Sequence, residues 1–76
     1  MGTASDKLTA VELRNPAPGR HWDGGGLYLE VSPAGGRWWR LKYRYAGKEK
    51  RLSLGVFPAV SLAEARKRRE NARKLL

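Results

Sequence analysis

The chain is 76 residues long and carries 16 Lys and Arg against 7 Asp and Glu, a formal net charge of +9 that predicts a polyanionic partner. It contains no cysteine and a single histidine, which excludes disulfides, zinc ribbons, thiol catalysis and histidine metal clusters, and we expect neither a metal nor another cofactor. The length allows one small domain, and the lack of cysteine makes a reducing, cytoplasmic location the default expectation. The sequence shows neither a signal peptide nor the roughly 20 apolar residues of a membrane-spanning helix, so we expect no membrane partner.

The first predicted elements are a flexible tail over residues 1–7 and a short helix over residues 10–14. Thr9 stands where the N-cap of such a helix would lie, and Glu12 follows three positions later, as in a capping box. Two prolines and a glycine within residues 16–19 end this helix.

Three strands are predicted after a turn at residues 23–26, where an aspartate is followed by three glycines. Apolar residues recur at every second position in residues 27–31, 37–45 and 49–55, which is the period of a half-buried strand. The connections between these strands are short and rich in glycine. The segment is therefore predicted to form an antiparallel three-stranded meander.

The alternation divides the side chains of these strands between two faces. The face predicted to point inward carries Leu27, Leu29, Val31, Trp39, Leu41, Tyr43, Tyr45, Leu52 and Leu54. The face predicted to point outward carries Tyr28, Glu30, Trp38, Arg40, Lys42, Arg44, Arg51 and Ser53.

A longer helix is predicted from a second capping box, formed by Ser61 and Glu64, to the end of the chain. Its apolar stripe consists of Leu62, Ala65, Ala72 and Leu76. Arg69 falls in that stripe and is expected at its edge, with the guanidinium in solvent. The predicted fold is α+β: a short N-terminal helix, a three-stranded antiparallel sheet, and a C-terminal helix packed on one sheet face. No terminating signal follows the helix, so we expect the chain to be a piece of a longer protein.

The strongest functional indication is the basic outward face. Residues 37–51 contain seven Lys or Arg and one acid, Glu49. Like charges about 7 Å apart along a strand are unfavourable without an anion, and Lys and Arg suit phosphates and guanine edges. The basic helical segment at 66–74 is either a solvated face or a further contact with backbone phosphates. The residues predicted to bind nucleic acid are Arg40, Lys42, Arg44, Arg51, Tyr28, Trp38, Lys48 and Lys50.

Catalysis by this chain is not expected. His21 is the single histidine and lies beside the glycine turn, so no nucleophile has an evident base. The glycines at 24–26 precede a strand and lack the lysine and serine of a phosphate-binding loop, which favours a simple turn. Tyr28 is the one tyrosine predicted to face outward, and it has no evident general base.

Four sequence blocks together resemble a known family. They are DGGGLYLEV at residues 23–31, WRLKYR at 39–44, GKEKRLSLG at 47–55 and PAVSLAEAR at 58–66. Over roughly residues 8–76 the chain resembles the N-terminal domain of P4-type prophage and genomic-island integrases, which are tyrosine recombinases.

This resemblance implies a domain that binds the arm-type attachment sites of duplex DNA for DNA integration and excision. It also implies downstream core-binding and catalytic domains of the same protein, with the catalytic arginines, histidine and tyrosine in that further part, and assembly into an oligomer on DNA. Two alternatives stay open: a double-stranded RNA-binding module, since phosphate chemistry is shared, and a protein-interaction adaptor whose basic face docks an acidic partner in a recombination complex.

Overall fold

The computed structural model describes residues 7–9 and 11–75. In these ranges the chain forms four strands and one helix: β1 (Gly19–Gly24), β2 (Leu27–Val31), β3 (Arg37–Tyr45), β4 (Lys48–Val56) and α1 (Leu62–Leu75). The strands make one antiparallel sheet in the order β1-β2-β3-β4, and α1 lies on one face of it. The predicted tail, apart from its last residue, lies outside the described residues. No helix in the described ranges is long and apolar enough to cross a membrane.

The prediction of a short N-terminal helix over residues 10–14 is wrong. Its capping interaction does form, because the Thr9 N–H donates to Glu12 Oε1 at 2.9 Å and the Glu12 N–H donates to Thr9 Oγ1 at 3.3 Å. The residues described after it make only a turn, in which the Arg14 N–H donates to the Val11 carbonyl at 3.3 Å. Pro16 lacks an N–H and disfavours helical backbone at the residue before it, so too few residues remain for a stable helix.

The prediction of three strands is also wrong, because β1 adds a fourth at the edge of the sheet. It pairs with β2 so that Trp22 lies opposite Tyr28. Its sequence, GRHWDG, shows no apolar alternation, and the ladder with β2 determines its conformation instead. The turn between them needs glycine at position 26, where φ is 89° and a Cβ would overlap the Lys42 carbonyl. The glycine turn is thus the loop of a β1–β2 hairpin.

The hydrophobic core lies between the sheet and α1, and its centre is Trp39. This side chain is 0% exposed; its indole N–H donates to the Val60 carbonyl at 2.7 Å. Its ring meets that of Phe57 edge-on, with 6.0 Å between the centroids. The predicted capping box at the start of α1 is present, since the Glu64 N–H donates to Ser61 Oγ at 3.2 Å. The core residues around Trp39 are Leu8, Leu13, Leu27, Leu29, Val31, Leu41, Leu54, Val60, Ala65 and Ala72.

The core stops short of the tip of the β3–β4 hairpin. Leu41 is buried as predicted, whereas Tyr43 is only half-buried, and Tyr45 and Leu52 are 61% and 38% exposed. The predicted inward direction of these three side chains therefore does not bring them into the core. The hairpin tip is exposed to solvent on both of its faces.

Candidate nucleic-acid interface

The sheet has an inner face, which α1 covers, and an opposite outer face. Directly opposed residues on neighbouring strands point to the same side of a sheet, so the strand register assigns each side chain to a face. The outer face consists of Arg20, Trp22, Tyr28, Glu30, Trp38, Arg40, Lys42, Arg44, Glu49, Arg51, Ser53 and Val56.

Two of the predicted cations on the outer face are paired with acids. Arg40 Nε lies 3.0 Å from Glu30 Oε1 without the alignment of a hydrogen bond, and Lys42 Nζ lies 3.4 Å from Glu49 Oε1. Their side chains are between 35% and 44% exposed, so each pair contributes only about 0–1 kcal/mol. A phosphate can therefore replace either carboxylate at small cost, and the outer face is less uniformly basic than the sequence suggests.

The other two predicted cations, Arg44 and Arg51, lie near the hairpin tip and are exposed. Neither forms an ion pair with any residue in the ranges 7–9 and 11–75. Arg51 lies opposite Lys42, so two cations are direct cross-strand neighbours, and the exposed Glu49, which lies opposite Arg44 and is paired with Lys42, is the acid beside them. The tip of the outer face is therefore the part best prepared for a phosphate or a guanine edge.

Tyr28 lies on the outer face as predicted, but the expectation that it is exposed is wrong. It is 0% exposed because β1 covers it: the Trp22 ring lies 4.4 Å from its ring, and the Arg20 guanidinium lies 5.5 Å above it. Its hydroxyl is buried without a hydrogen-bond partner in the described part of the chain. Tyr28 thus supports the side chains above it, and an acceptor reaches its hydroxyl only after they move.

The outer face presents two partly exposed tryptophans, of which the sequence predicted one. Trp38 is half-buried, because its ring lies against Gly36, where a Cβ would overlap it. Trp22 is 40% exposed, and Lys42 Nζ lies 5.8 Å from the centroid of its ring. The two-residue spacing of Arg20 and Trp22 before the glycine turn is the sequence pattern that could have identified this missed pair.

Lys48 and Lys50 do not join the other predicted residues. The two-residue turn of the β3–β4 hairpin places Lys48 opposite Tyr45, and Lys50 lies opposite Tyr43. Both lysines therefore belong to the inner face, at its uncovered tip, and point away from Arg44. The structure therefore divides the predicted site between the two faces of the sheet.

The basic surface of α1 is largely committed to holding the fold together. Asp23 is 0% exposed and accepts hydrogen bonds from Arg66 Nε at 3.1 Å, Arg66 Nη2 at 2.9 Å and Arg69 Nη1 at 3.1 Å. The N–H of Leu8 donates to it at 2.8 Å. Arg69 is 4% exposed, so the prediction that its guanidinium reaches solvent is wrong.

This cluster determines the charge state of Asp23. Burial alone would raise the pKa of the carboxyl, but the hydrogen bonds from Arg66 and Leu8 and the charges of Arg66 and Arg69 outweigh burial and lower the pKa below its ordinary value. Asp23 therefore stays ionised and ties the β1–β2 turn to α1.

Two further arginines of α1 bind backbone carbonyls of the sheet. Arg68 Nη1 donates to the Leu54 carbonyl at 3.0 Å, and Arg73 Nη1 donates to the Gly25 carbonyl at 3.4 Å. Lys67 and Lys74 remain exposed, with no ion pair to the described residues. Both lie on α1, on the opposite side of the sheet from the outer face, so they are a charge-matched reference for the cations of that face.

Comparison with known proteins connects this geometry to one family. A family model described as Arm DNA-binding domain matches residues 8–76. The chain is 59% identical over 56 residues to an integrase of Enterobacteria phage P4, covering 71% of this chain and 13% of that protein. It is 47% identical over 66 residues to an integrase of Shigella phage Sf6, covering 84% of this chain and 17% of that protein.

A third relative matches along the full chain. The prophage integrase IntA of Escherichia coli K12 is 34% identical over 82 residues, covering 100% of this chain and 20% of that protein. The chain therefore spans between 13% and 20% of the length of these three relatives.

Proposed function

The chain belongs to the Arm DNA-binding domain family, and from this premise we propose that its outer sheet face binds the arm-type attachment sites of duplex DNA. The observation that carries the proposal is the register of β3 and β4, which places Arg40, Lys42, Arg44 and Arg51 on one face. The β3–β4 hairpin that carries these residues is a two-stranded ribbon, which the roughly 12 Å wide major groove of B-DNA can admit. Arginines there can donate to guanine edges and lysines to phosphates.

The outer face supplies both kinds of contact that sequence-selective binding needs. On approach to DNA, the weak pairs Arg40–Glu30 and Lys42–Glu49 open, because phosphate oxygens replace the carboxylates and released counterions favour the exchange. Glu30 and Glu49 then repel any phosphate brought too close. Contact is thereby favoured only in registers that place the cations, rather than these acids, next to the backbone.

For the whole protein we propose the role of an integrase, because the three relatives are named integrases. This domain would hold the recombinase at its attachment sites, assembled as an oligomer on DNA, while core-binding and catalytic domains of the same polypeptide cleave and rejoin the strands. We assign no catalytic step to this chain. The Tyr28 hydroxyl is buried, and His21 Nε2 lies 2.6 Å from the Ala17 carbonyl, away from any phosphate on the outer face.

Replacing Arg44 and Arg51 by alanine should weaken binding to duplex DNA without changing the fold, because both side chains are exposed. We expect a loss of about 1–3 kcal/mol for each arginine that reads a base edge. The matched control replaces Lys67 and Lys74, which removes the same charge from the exposed side of α1. Fluorescence anisotropy measures both affinities, and equal losses in the two double variants would contradict the assignment of the face.

The salt dependence of the same titration checks the phosphate contacts. About five phosphate contacts give a slope of roughly −4 to −5 for log K against log salt. The slope of the Arg44/Arg51 variant should be smaller in magnitude by about one for each phosphate contact that the variant loses. Duplex RNA of the same sequence should compete poorly, because A-form RNA has a deep, narrow major groove. Equal competition would favour an RNA-binding module, and no saturable DNA binding would favour a protein adaptor.

A further inference from the structure

The β3–β4 hairpin carries cations on both of its faces at the tip. Arg44 and Arg51 lie on the outer face, while Lys48 and Lys50 lie on the inner face beside Tyr43. Both lysines are exposed and form no ion pair with any residue that the structure describes. The charge on the inner side of the tip therefore lacks the neutralisation that Glu30 and Glu49 provide on the outer face.

The position of these lysines at the edge of the sheet gives them a route to DNA. They belong to β4, which is the last strand in the sheet order and has a neighbour on one side only. A lysine ends in a compact ammonium on a flexible four-carbon stem, so it can reach around a strand edge in a way that a rigid side chain cannot. If the β3–β4 hairpin enters a groove with its outer face toward the bases, the β4 edge would face one of the two phosphate backbones that border the groove.

We propose that Lys48 and Lys50 form a second DNA contact, which binds the phosphates of the backbone next to the β4 edge while the outer face meets the groove. This inference rests on the proposed function, and it adds a surface that points away from the outer face. The two surfaces have different roles. Contacts from the outer face select sequence, whereas the two lysines fix the position of the hairpin on any duplex, since phosphate contacts carry no sequence information.

The test compares three double alanine variants of the full chain on a short duplex of mixed sequence: Lys48→Ala/Lys50→Ala, Arg44→Ala/Arg51→Ala, and Lys67→Ala/Lys74→Ala. All three lower the net charge by the same amount, so general electrostatic attraction affects them equally. We expect the Lys48/Lys50 variant to bind more weakly than the Lys67/Lys74 variant and to reduce the magnitude of the salt slope by about two, one for each phosphate contact. Circular dichroism should show the wild-type spectrum for each variant.

Neutral methylphosphonate linkages, placed one at a time along each strand of the duplex, locate the contact. For the wild-type chain, we expect affinity losses at some linkages that disappear in the Lys48/Lys50 variant, and these linkages should lie on one strand. If the Lys48/Lys50 variant matches the Lys67/Lys74 variant in affinity and slope while the Arg44/Arg51 variant binds more weakly, this inference is overturned and the proposed function stands. If all three variants bind alike, this inference is overturned, and the proposed function fails as well if the Arg44/Arg51 variant also binds attachment-site DNA as tightly as the Lys67/Lys74 variant.

Discussion

Trp39→Ala is expected to lower the free energy of unfolding by about 3–5 kcal/mol, the loss typical of a large aromatic truncated in a core. The side chain is 0% exposed, and its indole N–H bonds the Val60 carbonyl at 2.7 Å. Truncation opens a cavity and leaves that carbonyl without its donor. A domain of this size has about 4–11 kcal/mol of stability in total, so the substitution removes a large part of it and should shift the urea midpoint strongly downward. Urea denaturation followed by circular dichroism measures the change.

Trp38→Ala is the matched control, because it removes the same side chain one residue away on the opposite face. Trp38 is half-buried against Gly36 and lies outside the core, so we expect a clearly smaller loss of stability. If Trp38→Ala proved the more damaging substitution, or if Trp39→Ala melted like the wild type, the assignment of inner and outer faces would be reversed.

Asp23→Ala is the second substitution with a large expected effect, also about 3–5 kcal/mol of lost stability. The substitution removes the buried carboxylate that pairs with Arg69 Nη1, and Arg69, whose side chain is 5% exposed, then keeps the solvent-exposed Glu70 beside its Nε. The buried N–H of Leu8 also loses its acceptor, which weakens the attachment of the N-terminal segment, although the backbone bond from the Lys7 N–H to the carbonyl of residue 23 remains. Thermal unfolding measures the loss. Glu64→Gln serves as the control, since it alters an exposed pair with Arg68 and should cost at most about 0.5 kcal/mol.

The pH dependence of stability provides an independent check on Asp23. Because folding lowers the pKa of this carboxyl, its ionised form stabilises the fold above the unfolded-state pKa, near the ordinary value of 3.8, and that contribution is lost as the pH falls through the lower folded-state value. Stability of the Asp23→Ala variant should lack this step. If the stability of the Asp23→Ala variant fell in parallel with that of the wild type below pH 3.8, the acid-sensitive group would be a residue other than Asp23.

Sequence reasoning located β2, β3, β4 and α1 because each has a clear period or a cap, and it failed where pairing determined the structure. β1 has one large apolar residue, Trp22, so its sequence shows no alternation of apolar and polar residues that would predict a strand. The glycine turn before β2 is nevertheless typical of a hairpin, which needs a strand before the turn. Missing β1 led directly to the error at Tyr28. The alternation of side chains along β2 assigned Tyr28 to the correct face. The residues that cover it, Arg20 and Trp22, belong to β1, which was not predicted.

The predicted site was divided for a related reason. Arg40, Lys42 and Arg44 stand at every second position of one strand, so the sequence alone predicts that they share a face. The face of Lys48 depends on the length of the hairpin turn, which pairs it with Tyr45. A two-residue turn at Ala46 and Gly47 pairs Lys48 with Tyr45 and therefore predicts that Lys48 lies on the inner face. The binding of Asp23 by Arg66 and Arg69 could not be predicted this way, because 43 or more residues separate the partners and only the docking of α1 brings them together.

A titration of the labelled domain with duplex DNA, followed in proton–nitrogen correlation spectra, tests the central claim most directly because the three tryptophan indole N–H signals report on both faces. We expect the signals of Trp22 and Trp38, which lie on the outer face, to shift together with the backbone amides of Arg44 and Arg51. The Trp39 signal should stay in place, because its N–H is buried and bound to the Val60 carbonyl. Shifts confined to the amides of α1, with both outer-face indoles unmoved, would show that DNA binds a different surface.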